Sequence, residues 1–166
     1  MAALITRRVA VLGLLSACGY RPPRFLEYDG PEVTDVRIYK DARRMELWHN
    51  DQMLEDYRIG LGGDPFGHKQ QQGDSRTPEG RYIIDRRNPN SAFHLSLGIS
   101  YPNTDDIARA EAAGVDPGGD IFIHGVGDRF RRRGADWTEG CIAVSNREIE
   151  QIYAMVRNGT PVVIYP

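Results

Sequence analysis

The stretch IFIHGVGDRFRRRGADWTEGCIAVSN, residues 121–146, determines the architecture that we predict for this chain. It places His124 at the end of an apolar run and Cys141 in a Thr-x-Gly-Cys turn. The apolar run predicts a strand that ends at Gly125, and a second strand is predicted to begin after Gly140. If the two strand ends are neighbours, they bring together a cysteine and a histidine, the pair that nucleophilic acyl chemistry needs.

The reactivity of the two side chains supports this pairing. A free thiol at neutral pH is only a few per cent thiolate, so it needs a partner that takes its proton or stabilises the anion. The unperturbed pKa of histidine, roughly 6.5, lets His124 accept that proton at one step and return it at the next. Cys141 and His124 are therefore predicted to be catalytic.

Length and charge restrict the classes of protein that the chain can belong to. Its 166 residues suit one domain with a sizeable core. Lysine and arginine total 21 and aspartate and glutamate total 23, a formal net charge of −2. This balance argues against a general nucleic-acid binder or a binder of acidic membranes.

The first 17 residues are predicted to be a signal peptide. Arg7 and Arg8 supply a short positive region, and residues 9–15 are apolar but too few to span a membrane as a mature helix. Ser16-Ala17 then provides a small-residue cleavage zone. The chain is therefore expected to be exported.

Leu15-Ser16-Ala17-Cys18 is similar to a bacterial lipobox, whose cysteine is lipidated and becomes the new N-terminus. An ordinary signal peptide or an uncleaved anchor is the alternative. Because Gly19 rather than an aspartate follows the lipobox, we expect a lipid anchor in the outer membrane, with the domain in the periplasm. Cys141 would then be the only other cysteine, without a disulfide partner in an oxidising compartment. The alternative is a buried cysteine that packs as a small apolar residue.

Residues 18–32 contain prolines and polar residues and are predicted to be a tether, followed by a single domain over residues 33–166. Thr104 is predicted to cap a helix that ends near Gly114, and a capping box at Ser145 opens a second helix that Gly159 ends. The fold class is mainly β, a sandwich or partly closed barrel with two short peripheral helices. The predicted strands are residues 33–40, 44–49, 52–59, 81–86, 92–100, 120–124, 141–144 and 161–166.

From residue 33 onwards the sequence closely resembles the L,D-transpeptidase catalytic domain, often called YkuD-like, of bacterial cell-wall enzymes. The resemblance rests on His124-Gly125, on Thr138-Glu-Gly-Cys141 with 16 residues between histidine and cysteine, and on Asn146. Supporting matches are GHKQ at 67–70, GDSRTPEG at 73–80 and FHLSLGISYPN at 93–103.

The resemblance implies acyl transfer on peptidoglycan stem peptides, without a metal or a cofactor. Cys141 would attack the carbonyl of the third-position diamino acid and expel D-alanine. His124 would act as base and then acid, with its second ring nitrogen held by the Gly125 carbonyl. Backbone N–H groups of Gly140 and Cys141 would bind the oxyanion.

The sequence also departs from the family pattern. Many relatives have histidine before the motif glycine and arginine two positions after the cysteine, where this chain has Glu139 and Ala143. The cluster between residues 129 and 133, Arg131 and Arg132 above all, is expected to hold the donor's carboxylates instead, unless it is a solvated loop.

Three further residues, His94, Thr138 and Asn146, are assigned to substrate binding, with a structural, hydrogen-bonded role as the alternative for His94. The histidines and Cys141 lack the spacing of zinc motifs, so no metal site is predicted. The resolving nucleophile is expected to be an amine of a stem peptide or a protein. A relative that uses water and cleaves such linkages, or a non-catalytic lipoprotein that binds peptidoglycan, stays open as an alternative.

Overall fold

The computed structural model describes residues 25–127 and 135–166. The predicted signal peptide, the proposed lipidation site Cys18, and the arginines Arg131 and Arg132 lie outside these residues. Within them, no helix has both the length and the apolar character needed to cross a membrane.

Eight strands form one sheet, and two helices flank it. The sheet curls into an open half-barrel, which confirms the predicted mainly β fold. In chain order the elements are β1 Asp35–Tyr39, β2 Arg44–His49, β3 Gln52–Arg58, β4 Gly80–Asn88, β5 Ser96–Ile99, α1 Thr104–Ala113, β6 Phe122–His124, β7 Ile142–Ala143, α2 Asn146–Met155 and β8 Pro161–Tyr165.

The strand order across the sheet is β3-β2-β1-β8-β4-β5-β6-β7. Most neighbours are antiparallel, but β8 runs parallel to β1 and β7 runs parallel to β6. The C-terminal strand therefore inserts into the middle of the sheet and joins the N-terminal meander to the half formed by β4, β5, β6 and β7.

The core lies on the concave side of this sheet. In β1, for example, Val36 and Ile38 are fully buried while their neighbours are partly exposed, as the alternation of side chains along a strand requires. Helix α2 supplies Ile149 and Ile152 to the same core. Helix α1 is more peripheral, since it buries only Asp106 and Ala110.

The helix boundaries correct two details of the sequence prediction. Asn103, not Thr104, caps α1, because its side chain accepts hydrogen bonds from the N–H groups of Asp105 and Asp106. Helix α2 has the predicted capping box at Ser145, but it ends at Met155, well before Gly159.

A side chain from the sheet caps the C-terminal end of α2. Arg87 of β4 donates hydrogen bonds to the carbonyl groups of Tyr153 and Val156, and its guanidinium lies 3.8 Å from the centre of the Tyr153 ring. These contacts satisfy carbonyls that the last turn leaves without partners. They also join α2 to β4.

Candidate active site

His124 is the last residue of β6, and its imidazole is almost completely buried. Nδ1 lies 2.6 Å from the carbonyl oxygen of Gly125. A carbonyl only accepts, so Nδ1 carries the proton and Nε2 presents a lone pair. Burial lowers the pKa of His124, and the hydrogen bond to Gly125 opposes that effect. The imidazole is therefore neutral near pH 7 and able to accept a proton.

Aromatic rings surround the His124 side chain. The Phe93 ring centre is 4.5 Å from the imidazole centre, and Trp137 meets it edge-on at 5.8 Å. The two aromatic rings are 5.9 Å apart, so they form adjoining walls of one apolar box. This packing accounts for the dry surroundings of the base.

Cys141 follows Gly140 and immediately precedes β7, and its thiol is free. Its Sγ donates to the carbonyl oxygen of Asp120 at 3.4 Å. Burial raises the pKa of the Cys141 thiol, while a backbone hydrogen bond from Phe122 lowers it. Taken with the lowered pKa of His124, this indicates a neutral thiol and a neutral imidazole before substrate binds.

The sheet register brings His124 and Cys141 to the same cleft. Strands β6 and β7 are parallel, with His124 opposite Ala143, so Cys141 lies two residues back along the neighbouring strand. With strands about 4.8 Å apart and a rise of about 3.3 Å per residue, the two Cα atoms are about 8 Å apart, a separation that their side chains can bridge. Both residues line one cleft of about 660 Å³.

The turn before Cys141 is held by Thr138. Its hydroxyl donates to the carbonyl oxygen of Cys141 at 2.7 Å and accepts from the N–H of Gly140 at 3.2 Å. Thr138 also lines the cleft, which leaves space for the predicted contact with substrate. Its hydroxyl, however, is already engaged in the two hydrogen bonds that hold the turn. The N–H of Gly140, assigned above to the oxyanion, is directed at this hydroxyl in the free protein.

Gly140 is required by geometry. Its φ is +120°, and a Cβ at this position would lie 2.5 Å from the carbonyl oxygen of Arg76. Any side chain would collide with this backbone, and non-glycine residues also disfavour that φ. The residue before the nucleophile therefore has to be glycine.

Lys69 lies in the same cleft as Cys141. Its ammonium, however, is buried and bonds to Asp74 at 2.8 Å and to the Gln71 carbonyl at 3.0 Å. Burial raises the pKa of Asp74, yet hydrogen bonds from Lys69 and from neighbouring backbone N–H groups outweigh it and lower the pKa to about 2. Lys69 and Asp74 thus form a fixed ion pair that shapes the loop.

The family departures at Glu139 and Ala143 have different surroundings. Glu139 is exposed and lines the cleft. Ala143 is only 4% exposed and exchanges two backbone hydrogen bonds of 2.8 Å with Gly60. Gly60 in turn packs closely against the carbonyl of Ala135, where a Cβ would lie 2.1 Å from the oxygen.

Two predicted substrate-binding residues lie outside the cleft lining. His94 has a φ of +81°, and its Nε2 lies 2.6 Å from Oε1 of Glu150 in α2. Asn146 accepts hydrogen bonds of 3.0 Å from the N–H groups of Val126 and Gly127, which holds the segment after His124. Both side chains are thus engaged in contacts within the protein.

Sequence reasoning missed several residues of the cleft, among them Lys69, Phe93 and Asp120. Phe93 precedes His94, and residue type alone favoured the histidine, whereas it is the Phe93 ring that lines the cleft and packs against His124. Asp120 contributes its backbone carbonyl to the sulfur, a role that residue identity does not signal. Among the described residues, no group of three or more His, Cys, Asp or Glu side chains is arranged to hold a metal ion.

Comparison with known proteins agrees with the fold and the motif residues. The sequence profile of the L,D-transpeptidase catalytic domain family, YkuD, matches residues 34–164. The chain therefore belongs to the L,D-transpeptidase catalytic domain family.

Individual relatives resemble the chain over different shares of their length. YafK of Escherichia coli (strain K12), which carries a provisional L,D-transpeptidase designation, is 30% identical over 183 residues that cover all of this chain and 68% of YafK. The crystal structure of the helical cell shape determining protein Pgp2 from Campylobacter jejuni has 26% identity and a TM-score of 0.65, over 85% of this chain and 50% of that chain. An L,D-transpeptidase from Mycobacterium smegmatis shares the fold, with 15% identity and a TM-score of 0.55 over 82% and 60% of the two chains. The chain thus spans about half the length of Pgp2.

Proposed function

We propose that the protein is a peptidoglycan L,D-transpeptidase in which Cys141 is the nucleophile. The observation that carries the proposal is the cleft shared by the free thiol of Cys141 and by His124, whose Nδ1 is fixed by the Gly125 carbonyl. Membership of the family makes a stem peptide the expected acyl donor.

The first half of the reaction forms a thioester. Nε2 of His124 takes the thiol proton as the sulfur attacks the carbonyl carbon of the third-position diamino acid. The oxyanion that forms is stabilised by backbone N–H groups at Cys141 and Gly140. For Gly140 to contribute, the Thr138 hydroxyl has to release or share its N–H. The C–N bond then breaks, and the imidazolium gives its proton to the departing amine of D-alanine.

The second half returns the enzyme to its starting state. An acceptor amine, from a stem peptide or a protein, attacks the thioester carbonyl and loses its proton to His124. The C–S bond breaks, and the thiolate recovers the proton from the imidazolium. Because Nδ1 stays bonded to Gly125 throughout, no carboxylate is needed to orient the ring.

Product analysis tests this function and identifies the acceptor. Purified protein is incubated with tetrapeptide muropeptides and, separately, with intact sacculi, and the products are separated and weighed. Cross-linked dimers or protein-linked peptides support an amine acceptor, whereas tripeptide products alone support a hydrolase that uses water. A folded protein that binds sacculi without releasing D-alanine would contradict catalysis and favour a wall-binding lipoprotein.

We also propose that the protein is exported to the periplasm and anchored to the outer membrane by lipid on Cys18. The support is the lipobox-like tetrad that precedes the tether. Labelled palmitate should be incorporated into the wild type and not into Cys18→Ala. Equal labelling of both proteins, or none in the wild type, would overturn the anchor.

A further inference from the structure

The side chain of Arg86 in β4 crosses the neighbouring strand β5 and reaches the segment beside Cys141. In the sheet register, Arg86 of β4 lies opposite Gly98 of β5, and Gly98 lies opposite Phe122 of β6. A Cβ on Gly98 would lie 2.4 Å from Cγ of Arg86. The arginine side chain therefore crosses β5 through space that only a glycine leaves open.

The guanidinium of Arg86 contacts two residues beside the nucleophile. Nη2 lies 3.1 Å from Oδ1 of Asp120, and Cζ lies 4.6 Å from the centre of the Phe122 ring. Nη1 bonds to Asp85 on its own strand at 2.9 Å, which fixes the other side of the guanidinium. Arg86 is thus anchored at β4 and attached to both ends of the segment 120–122.

The same two residues make the backbone contacts of the Cys141 sulfur. The Asp120 carbonyl accepts a hydrogen bond from the thiol, and the Phe122 backbone hydrogen bond favours the thiolate. Asp120 has a φ of +55°, so its backbone has to be held in a left-handed conformation. Its carboxylate also opposes thiolate formation by charge repulsion.

We propose that Arg86 is a positioning residue for the nucleophile: it holds Asp120 and Phe122 against the Cys141 sulfur and neutralises the Asp120 carboxylate. This inference deepens the proposed function and rests on it, since it concerns the same nucleophile. Arg86 acts through its neighbours and is not assigned a contact with substrate.

Alkylation of Cys141 tests the proposal without requiring turnover. Full-length wild type, Arg86→Gln, Arg86→Lys and Gly98→Ala are treated with iodoacetamide from pH 6 to 10, and modification of the Cys141 peptide is followed by mass spectrometry. Gly98→Ala keeps the charge but forces the arginine side chain to move. Arg81→Gln is the matched control, because Arg81 is exposed on the same strand and forms no ion pair within the described part of the chain.

The expected result is alkylation at neutral pH that is about threefold slower, or more, in Arg86→Gln, which is the effect of one nearby unit charge in a partly solvated site. The pH at which alkylation reaches half its maximum rate should also rise. Gly98→Ala should reproduce both changes. A double variant that combines Arg86→Gln with Gly98→Ala should slow alkylation little more than either single substitution does. Arg86→Lys should fall in between, since an ammonium keeps the charge but lacks the planar fork.

A purely structural role predicts a different pattern. If Arg86→Gln and Gly98→Ala lower the melting temperature but leave the alkylation rate and its pH profile equal to those of Arg81→Gln, the proposal is overturned. If alkylation responds as expected while the wild type releases no D-alanine from muropeptides, the positioning role stands and the proposed substrate fails.

Discussion

The carbonyl oxygen of Gly125 lies 2.6 Å from Nδ1 of the preceding His124 and fixes the tautomer of this proposed catalytic base. Each ring nitrogen then has a separate role, since Nδ1 donates to a backbone group that cannot titrate and Nε2 is left for the thiol. Orientation by a carbonyl adds no negative charge to a site that already contains Asp120 and Glu139.

Replacing the base should nearly abolish turnover. His124→Ala is expected to lower kcat for D-alanine release by about 100-fold to 10,000-fold, the usual contribution of general acid-base catalysis. His94→Ala is the matched control, because His94 pairs with Glu150 outside the cleft lining and its loss should leave kcat within about twofold. Equal losses of kcat in the two variants would contradict a catalytic role that His124 has and His94 lacks.

The acid limb of the pH profile should report the environment of His124. Burial lowers its pKa, so kcat/KM should reach half its plateau at a pH below the unperturbed value of about 6.5. Steady-state kinetics between pH 4 and 8 measure this midpoint. A midpoint above 6.5 would mean that the imidazole is stabilised in its charged form, contrary to its buried, aromatic surroundings.

The same lowered pKa affects stability. The unfolded chain binds a proton on His124 near pH 6.5, before the folded protein does, so the free energy of unfolding should fall as pH falls from about 6.5 towards the lowered value. Burial also lowers the pKa of His68, which contributes with the same sign. Thermal melts of wild type and His124→Gln should therefore converge as the pH is lowered through this window.

Substitution of the glycine before the nucleophile should disrupt the turn. Gly140→Ala places a Cβ 2.5 Å from the Arg76 carbonyl at a φ of +120°, and a loss of stability of roughly 1–3 kcal/mol with little remaining activity is expected. Gly159→Ala is the control, because φ is +90° there but no atom lies within 4 Å of the added Cβ. Its loss should be about 1 kcal/mol with unchanged kcat. Similar melting curves and similar activities for the two variants would refute a steric requirement at Gly140.

Asp136 should stabilise the wall that carries Trp137. Its carboxylate bonds to Arg43 at 2.8 Å and accepts the Leu61 N–H at 2.9 Å. Asp136→Ala leaves that N–H without its partner, and unfolding by urea should show a loss of roughly 1–3 kcal/mol. Asp35→Ala, which breaks an ion pair with Arg37 near the surface, should lose less than about 1 kcal/mol. A larger loss of unfolding free energy in Asp35→Ala than in Asp136→Ala would contradict the stabilising role of Asp136.

The alternating strands were the most predictable part of the fold. The patterns over β1 and β4 gave their positions because buried and more exposed side chains alternate along these strands, and the Ser145 capping box located the start of α2. The predicted strand over residues 92–100 shrank to Ser96–Ile99, since His94 takes a φ of +81° and its N–H bonds back to Ser91. Local pattern does not encode such turns or the end of α2 at Met155, where Arg87 from another strand binds the carbonyls of Tyr153 and Val156.

From the sequence, only those cleft residues could be predicted whose side-chain type points to a chemical role. Cys141 and His124 were identified from their types and spacing, and the structure places both in one cleft. Asp120 acts through its backbone carbonyl, and Arg86 acts across the space left open by Gly98. The positions of both residues relative to Cys141 depend on strand register. A single sequence does not reveal which residues face each other across β4, β5 and β6.

The most direct test of the central claim is the mass of the intact protein after brief mixing with a tetrapeptide muropeptide. The account predicts release of D-alanine and a new species heavier than the protein by the muropeptide minus D-alanine, with the added mass on the Cys141 peptide. Cys141→Ala should fold normally and show neither. Release of D-alanine by Cys141→Ala at the wild-type rate, or a folded wild type that yields neither adduct nor D-alanine, would contradict the account.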